Sequence, residues 1–168
     1  MYSLVDDMNK IRYKPIGIIH SPFKEPKRTP IQSSSAQGIK GTIEIFPEYV
    51  EGLQDIEGFS HIILLYHFHL AKPVSLISKP FMDEKSHGIF AIRGPSRPNP
   101  IGISIVRLIK VKNNVLYVQD LDIVDGTPLL DIKPYIPEFD KAVAIRIGWL
   151  EGNINNLSKT TDDGRFTQ

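Results

Sequence analysis

Apolar residues in this chain recur at every second position in short runs, and no run keeps the three-to-four spacing of a helix long enough to be stable alone. Short segments that read as strands, by such alternation or by β-branched content, cover residues 15–20, 41–46, 60–68, 88–92, 101–111, 114–124 and 141–147, each bounded by Gly, Pro or Asn. Seven short strands without long helices argue for a barrel, in which the sheet buries its apolar face by closing on itself. Residues 47–55 allow a turn or two of helix, with Pro47 suited to a first helical position. A Rossmann alternation of strand and helix is excluded, and no glycine-rich phosphate fingerprint accompanies any strand. The expected fold is mainly β, a single compact β-barrel with short helical segments.

The chain has 168 residues, 41% hydrophobic and 23% charged, which suits one soluble domain with its own core. It contains no cysteine, so disulfides, thiol nucleophiles and cysteine-ligated metals are ruled out. Residues 1–7 lack the basic flank and apolar run of a secretory signal. The most apolar stretch, 62–66, is far short of the roughly 18 residues of a membrane span, so a cytoplasmic protein without membrane contact is expected. Residues 14–140 are expected to form the barrel and 141–150 a final strand, with 1–13 and 151–168 as polar, mobile termini.

Net charge is only +1, but the charges are segregated. Residues 85–119 contain no acid while carrying Lys85, Arg93, Arg97, Arg107, Lys110 and Lys112. Residues 120–140 reverse this, with Asp120, Asp122, Asp125, Asp131, Glu138 and Asp140 around Lys133. The runs either form a basic and an acidic surface or pair with each other across neighbouring strands.

Three segments carry candidate chemistry. In Arg93-Gly94-Pro95-Ser96-Arg97-Pro98-Asn99-Pro100 the prolines stiffen a loop on which two guanidinium forks and an amide can meet a carboxylate, a phosphate or a heterocycle edge. The alternative is a stiff turn with solvated arginines. In Asp122-Ile123-Val124-Asp125-Gly126-Thr127-Pro128, Asp125-Gly126 marks a tight turn, and the carboxylates near a sheet end suit a cation or a ribose. The alternative is a local Asx turn with a Lys133–Asp131 pair. His61, His67 and His69 share one face if all lie in a strand, which permits a zinc site or simply polar groups at a strand end. No calcium-loop spacing or nucleophile elbow is present, and no metal is expected.

Taken together, Ile16-Gly17-Ile18-Ile19-His20-Ser21-Pro22-Phe23-Lys24, Gly58-Phe59-Ser60-His61, His67-Phe68-His69, the segment Arg93 through Ser104, and Asp125-Gly126-Thr127-Pro128 through Pro137 resemble the TsaA-like (YaeB/TrmO) family. The resemblance covers about residues 14–140 in consistent order. It implies a β-barrel methyltransferase that uses S-adenosylmethionine to methylate N6 of adenosine at position 37 of tRNA, working as a homodimer with cofactor sites near the subunit interface. The family's usual Pro-Arg-Gln reads Pro30-Ile31-Gln32 here, and its Thr-Arg-Ser reads Ile92-Arg93-Gly94.

With that resemblance, the residues expected to bind S-adenosylmethionine are Pro30, Gln32, Phe68, His69, Arg93, Ile103, Asp122, Ile123, Val124 and Asp125. Asp125 or His69 is expected to take the proton from the acceptor nitrogen, and Arg97, Asn99 and Tyr135 to contact the anticodon loop, Tyr135 by stacking. A non-catalytic RNA- or ligand-binding barrel that kept the cofactor scaffold is the rival reading. Arg97 is expected to matter for transfer far more than for stability.

Overall fold

The computed structural model describes residues 10–143 and 146–166. Eight strands follow in chain order: β1 (Gly17–His20), β2 (Lys40–Ile45), β3 (His61–His67), β4 (Ile77–Ser78), β5 (His87–Gly88), β6 (Ile101–Lys112), β7 (Val115–Gln119) and β8 (Thr127–Pro134). Six of them close a barrel in the order β1-β2-β7-β6-β3-β8, with β8 returning to β1 and every neighbouring pair antiparallel. β4 and β5 form a small separate ribbon.

Alternation decides which side chains fill the barrel. Ile19, Ile43, Ile45, Ile62, Leu64, Val106, Leu116, Val118 and Leu129 point inward and are essentially inaccessible to water. The interior therefore holds β-branched and leucine side chains, not a channel. A 3₁₀ segment at Pro47–Leu53, opened by Pro47, packs Tyr49, Val50 and Leu53 against this core, as the sequence suggests.

The closest approach inside the barrel is at Gly102. It faces Tyr66 across the β3–β6 ladder, and a Cβ added there would lie 2.2 Å from the Tyr66 ring and 2.9 Å from the Phe68 ring. Only glycine lets the Tyr66 ring lie across β6. A second requirement falls at Gly126, where the tight turn after Asp125 takes φ of +78°.

Several sequence expectations are corrected. Residues 88–92 do not form a strand: the two-residue β5 is followed by a 3₁₀ turn, Ile89–Ala91, which buries Ile89 and Ile92 three positions apart and leaves Phe90 78% exposed. The run 114–124 is a strand only in β7, because Asp120 takes φ of +68° and ends the ladder, although Leu121 and Ile123 remain buried. The final strand expected over 141–150 does not form: residues 141–143 and 146–147 are unpaired and Gly148–Leu150 is a 3₁₀ turn, while residues 144 and 145 lie outside the described residues. Its place is taken by β8, which contains Pro128 and Pro134 and already closes the barrel on both sides.

The expected mobile tail also takes a defined place. A 3₁₀ segment spans Ile154–Lys159, Pro30 and Thr161 form an antiparallel bridge, and Phe166 is only 6% exposed with its ring edge-on to Phe81 at 5.0 Å. The Asp162 amide donates to Thr29 O, and the Lys72 amide donates to Phe166 O. The polar composition of this segment conceals the apolar side chains that fasten it. Of residues 1–13, positions 1–9 lie outside the described residues.

Gly102→Ala is expected to lower stability by about 1–3 kcal/mol through overpacking. Gly52→Ala, in the exposed Pro47–Leu53 segment with nothing near its added Cβ, is expected to leave stability unchanged or slightly higher. Urea titrations of the two variants check the contrast.

Candidate active site

One end of the barrel is built from the exit of β3, the entry to β6 and the connection from β7 to β8. Pro100 O accepts from the Phe68 amide and Asn99 O from the Ile101 amide, so the rigid proline loop is fastened where β3 ends and β6 begins. Between these elements, the 26–34 loop and the C-terminal segment lies a cleft of about 700 Å³. Phe68, Ile103, Ile123, Phe166 and Trp149 give it apolar walls, and Gln32, His69, Arg93, Arg97, Asp122 and Asp162 are among its polar groups. Apolar walls with a few convergent polar groups suit a small ligand of mixed polarity.

The floor carries a chain of three side chains. Tyr66 Oη lies 3.0 Å from Ser104 Oγ, which donates to Asp122 Oδ1 at 2.6 Å. Tyr66 and Ser104 are buried, and desolvation pushes the Asp122 carboxyl up to about 6. The Tyr66 hydroxyl is raised further above its ordinary range, by burial first and then by the neighbouring Asp122. His69 sits in the turn after β3, and burial, followed by the nearby His67, holds its imidazole below the usual value.

Most residues assigned to the cofactor come together here. Pro30, Gln32, Phe68, His69, Arg93, Ile103, Asp122, Ile123 and Val124 all line the cleft. Arg93 Nη1 donates to Gln32 Oε1 at 3.1 Å, which joins the proline loop to the 26–34 loop, while Ile31 adds an apolar side chain to the lining.

Asp125 does not line the cleft. Its carboxylate accepts from the Ser21 amide at 3.0 Å and from Lys24 Nζ at 2.7 Å, tying the end of β1 to the turn before β8. The Lys24 hydrogen bond, then the Ser21 amide, holds this carboxyl below its usual range, so Asp125 is a tether and a poor proton acceptor. Arg97 lines the cleft, but its Nη1 donates to Ile92 O at 3.1 Å and Gly94 O at 3.3 Å. Its substitution therefore disturbs the loop as well, contrary to the clean separation of activity from stability expected from sequence. Asn99 lies on the same loop outside the lining residues. Tyr135 is at the opposite end of the barrel, where its amide donates to His61 O and its ring meets the His61 ring edge-on at 6.4 Å.

Only His69 of the three histidines lines the cleft, since β3 ends at His67 and His61 sits at its other end. No group of three metal-ligating side chains occurs among the described residues. The two charge runs meet where Arg107 Nε lies 3.6 Å from Asp120 Oδ2.

Sequence reasoning missed Tyr66, Ser104 and the C-terminal wall. Tyr66 and Ser104 occupy inward positions of their strands, and two polar groups at the same end of adjacent runs were the available signal. Trp149, Leu150, Ile154, Leu157, Asp162 and Phe166 all line the cleft from a segment with no strand periodicity.

The raised carboxyl of Asp122 has a stability consequence with a defined sign. Its ionisation penalises the folded state by about 3 kcal/mol. The penalty develops as pH rises through the window between the two values, is essentially complete above about pH 7, and is absent below about pH 3, where the carboxyl is protonated in folded and unfolded chains alike. Asp122→Asn is expected to be more stable than the parent at pH 8 by about 1–3 kcal/mol, with the difference shrinking toward pH 4. Denaturant melts at the two pH values measure this.

A closed barrel with an ionisable cleft at one end is a ligand-binding barrel of the non-Rossmann kind. The chain belongs to the tRNA-methyltransferase O family, whose N-terminal-domain model matches residues 18–141. It is 65% identical over 93% of its length to a probable S-adenosyl-L-methionine-binding protein of Pyrococcus abyssi, covering 85% of that protein. A human tRNA (adenine(37)-N6)-methyltransferase is 32% identical over 88% of this chain, which spans only 35% of the human protein. The crystal structure of TrmO from Pseudomonas aeruginosa superposes with a TM-score of 0.71 at 39% identity, over 85% of this chain and 62% of that one.

Proposed function

We propose that this chain transfers a methyl group from S-adenosylmethionine to N6 of adenosine 37 in tRNA, the adenosine already bearing a threonylcarbamoyl group, in the cytoplasm. The observation that carries this reading is the cleft at the β3–β6 end, where nine of the ten residues assigned to the cofactor converge. Family membership and the human relative's activity point the same way.

The donor set fits the cofactor. Asp122 and Asp162 are oxygen acceptors for its sulfonium and ammonium groups, Arg93 and Gln32 are donors for its carboxylate, and Phe68, Ile103 and Phe166 offer apolar surface to adenine. Bound S-adenosylmethionine supplies a methyl group made electrophilic by positive sulfur. The protein's task is then to align the acceptor nitrogen, exclude water and take up a proton. His69, neutral near pH 7, and Asp122 are the cleft groups able to accept one. Arg97 and Asn99 sit on the loop bordering the cleft, where an anticodon-loop phosphate can be met.

A homodimer is part of the proposal. Ile101, Ile103, Ile105 and Ile109 lie on the outer face of β6, 39% to 51% exposed and interrupted by Arg107, and a second copy seated on Ile105 and Ile109 would border the cleft that Ile101 and Ile103 line. Ile105→Asp combined with Ile109→Asp is expected to convert a dimeric mass to a monomeric one by light scattering. A parent protein that is monomeric at micromolar concentration removes the dimer.

The rival reading is a cofactor-binding barrel without transfer, favoured by Ile31, which lines the cleft where the family usually has arginine. Incubation with labelled S-adenosylmethionine and total tRNA from cells lacking the protein, followed by nucleoside analysis, separates the two. Label in an N6-methylated adenosine is expected, and binding without transfer selects the rival. Trp149, the single tryptophan, lines the cleft and stacks on His87 at 5.0 Å, so its fluorescence is expected to change on cofactor titration and the signal to vanish in Trp149→Phe.

A further inference from the structure

The other inward side chains of β3 and β6, Ile62, Leu64, Val106 and Leu108, are apolar, and polar groups enter only at the cleft end. There Tyr66, Ser104 and Asp122 are joined in one line. The direction of the line is fixed by chemistry. Ser104 has a single hydroxyl proton and gives it to the Asp122 carboxylate, so the contact at 3.0 Å must be donated by Tyr66. Both hydroxyl protons therefore point toward Asp122. Three apolar side chains of similar size would fill this space at lower cost, because buried polar groups stabilise only when fully partnered.

We propose that Asp122 accepts the proton released by the acceptor nitrogen during methyl transfer, with Ser104 and Tyr66 as the positioning residues that hold its carboxylate. This rests on the methyltransferase reading above. In the step the nitrogen lone pair forms the new N–C bond, the C–S bond breaks with its electron pair going to sulfur, and the N–H proton passes to Asp122. Desolvation makes this carboxylate a stronger base than a solvated one, while the Ser104 hydrogen bond keeps it ionised near neutrality. The other ionisable groups lining the cleft are the Tyr66 hydroxyl on β3, His69 in the turn after β3, the Arg93 and Arg97 guanidiniums on the proline loop and the Asp162 carboxyl of the C-terminal segment. Asp125 is turned away to Lys24.

Four proteins test the proposal: parent, Asp122→Asn, Ser104→Ala and Tyr66→Phe. The readouts are NMR titration of the Asp122 carboxyl without cofactor, cofactor Kd by calorimetry, and kcat against pH at saturating cofactor. Asp122→Asn is expected to lose about 100-fold or more in kcat at saturating cofactor, and to weaken Kd by a smaller factor, because the amide oxygen still accepts from the cofactor. Ser104→Ala removes the hydrogen bond that lowers the carboxyl, so the titration and the acid limb of kcat should move to higher pH together, and Tyr66→Phe should move both in the same direction by less. If Asp122→Asn does not fold, the other two variants still decide.

Asp122→Asn with near-parent kcat but much weaker cofactor binding overturns the proposal and makes Asp122 a binding residue only. A carboxyl titration that moves in Ser104→Ala while the acid limb stays fixed also overturns it, as does an acid limb that disappears in His69→Asn. A parent protein that binds no cofactor overturns the methyltransferase reading, and the proposal with it.

Discussion

The architecture depends on the double pairing of β8, which hydrogen-bonds to β1 along one edge and to β3 along the other. That ladder removes the last free edges of a six-stranded sheet, so no barrel strand is left as a template for another chain. It also sets the geometry of the cleft. The register between β3 and β8 slips between Leu65 and Tyr66, and irregularities of this kind bend a strand and re-aim its side chains. Tyr66 follows the slip directly, and its ring crosses Gly102 to reach Ser104.

The barrel was legible because strand patterning is a local property: β1, β3 and β7 lie within runs marked from the sequence, and β2 and β6 each extend one residue beyond theirs. β8 was not marked as one of those runs, because Pro128 and Pro134 argue against a strand in isolation, and only the ladder shows that both are accommodated. The run 88–92 misled for the opposite reason, since a 3₁₀ turn satisfies its apolar residues at i and i+3 as well as a strand does at i and i+2. Residues 141–147 have high strand propensity, but propensity cannot act once the barrel has no edge to offer.

The site was legible mainly through family resemblance, and physical reading corrected it. Asp125, in the conspicuous Asp-Gly turn, holds two loops together, while Asp122, three residues earlier, faces the cleft and bears the strain of desolvation. A turn signal reports backbone geometry and says nothing of which carboxylate lines the cleft. Tyr66 and Ser104 were hidden because a polar group near the end of each run points to a shared hydrogen bond only once the pairing of β3 with β6 is known. The bond between Arg93 and Gln32 has the same character, since it joins loops far apart in the chain.

The cleft wall contributed by residues 149–166 is hydrogen-bonded to residues 28 and 29, at the other end of the sequence. During synthesis, every barrel strand leaves the ribosome before this wall does. The barrel can therefore close first, guided by its own ladders, and the cleft gains this wall only when residues 149–166 settle against the loop after β1. A product truncated before residue 149 would keep every barrel strand and lack this wall of the cleft.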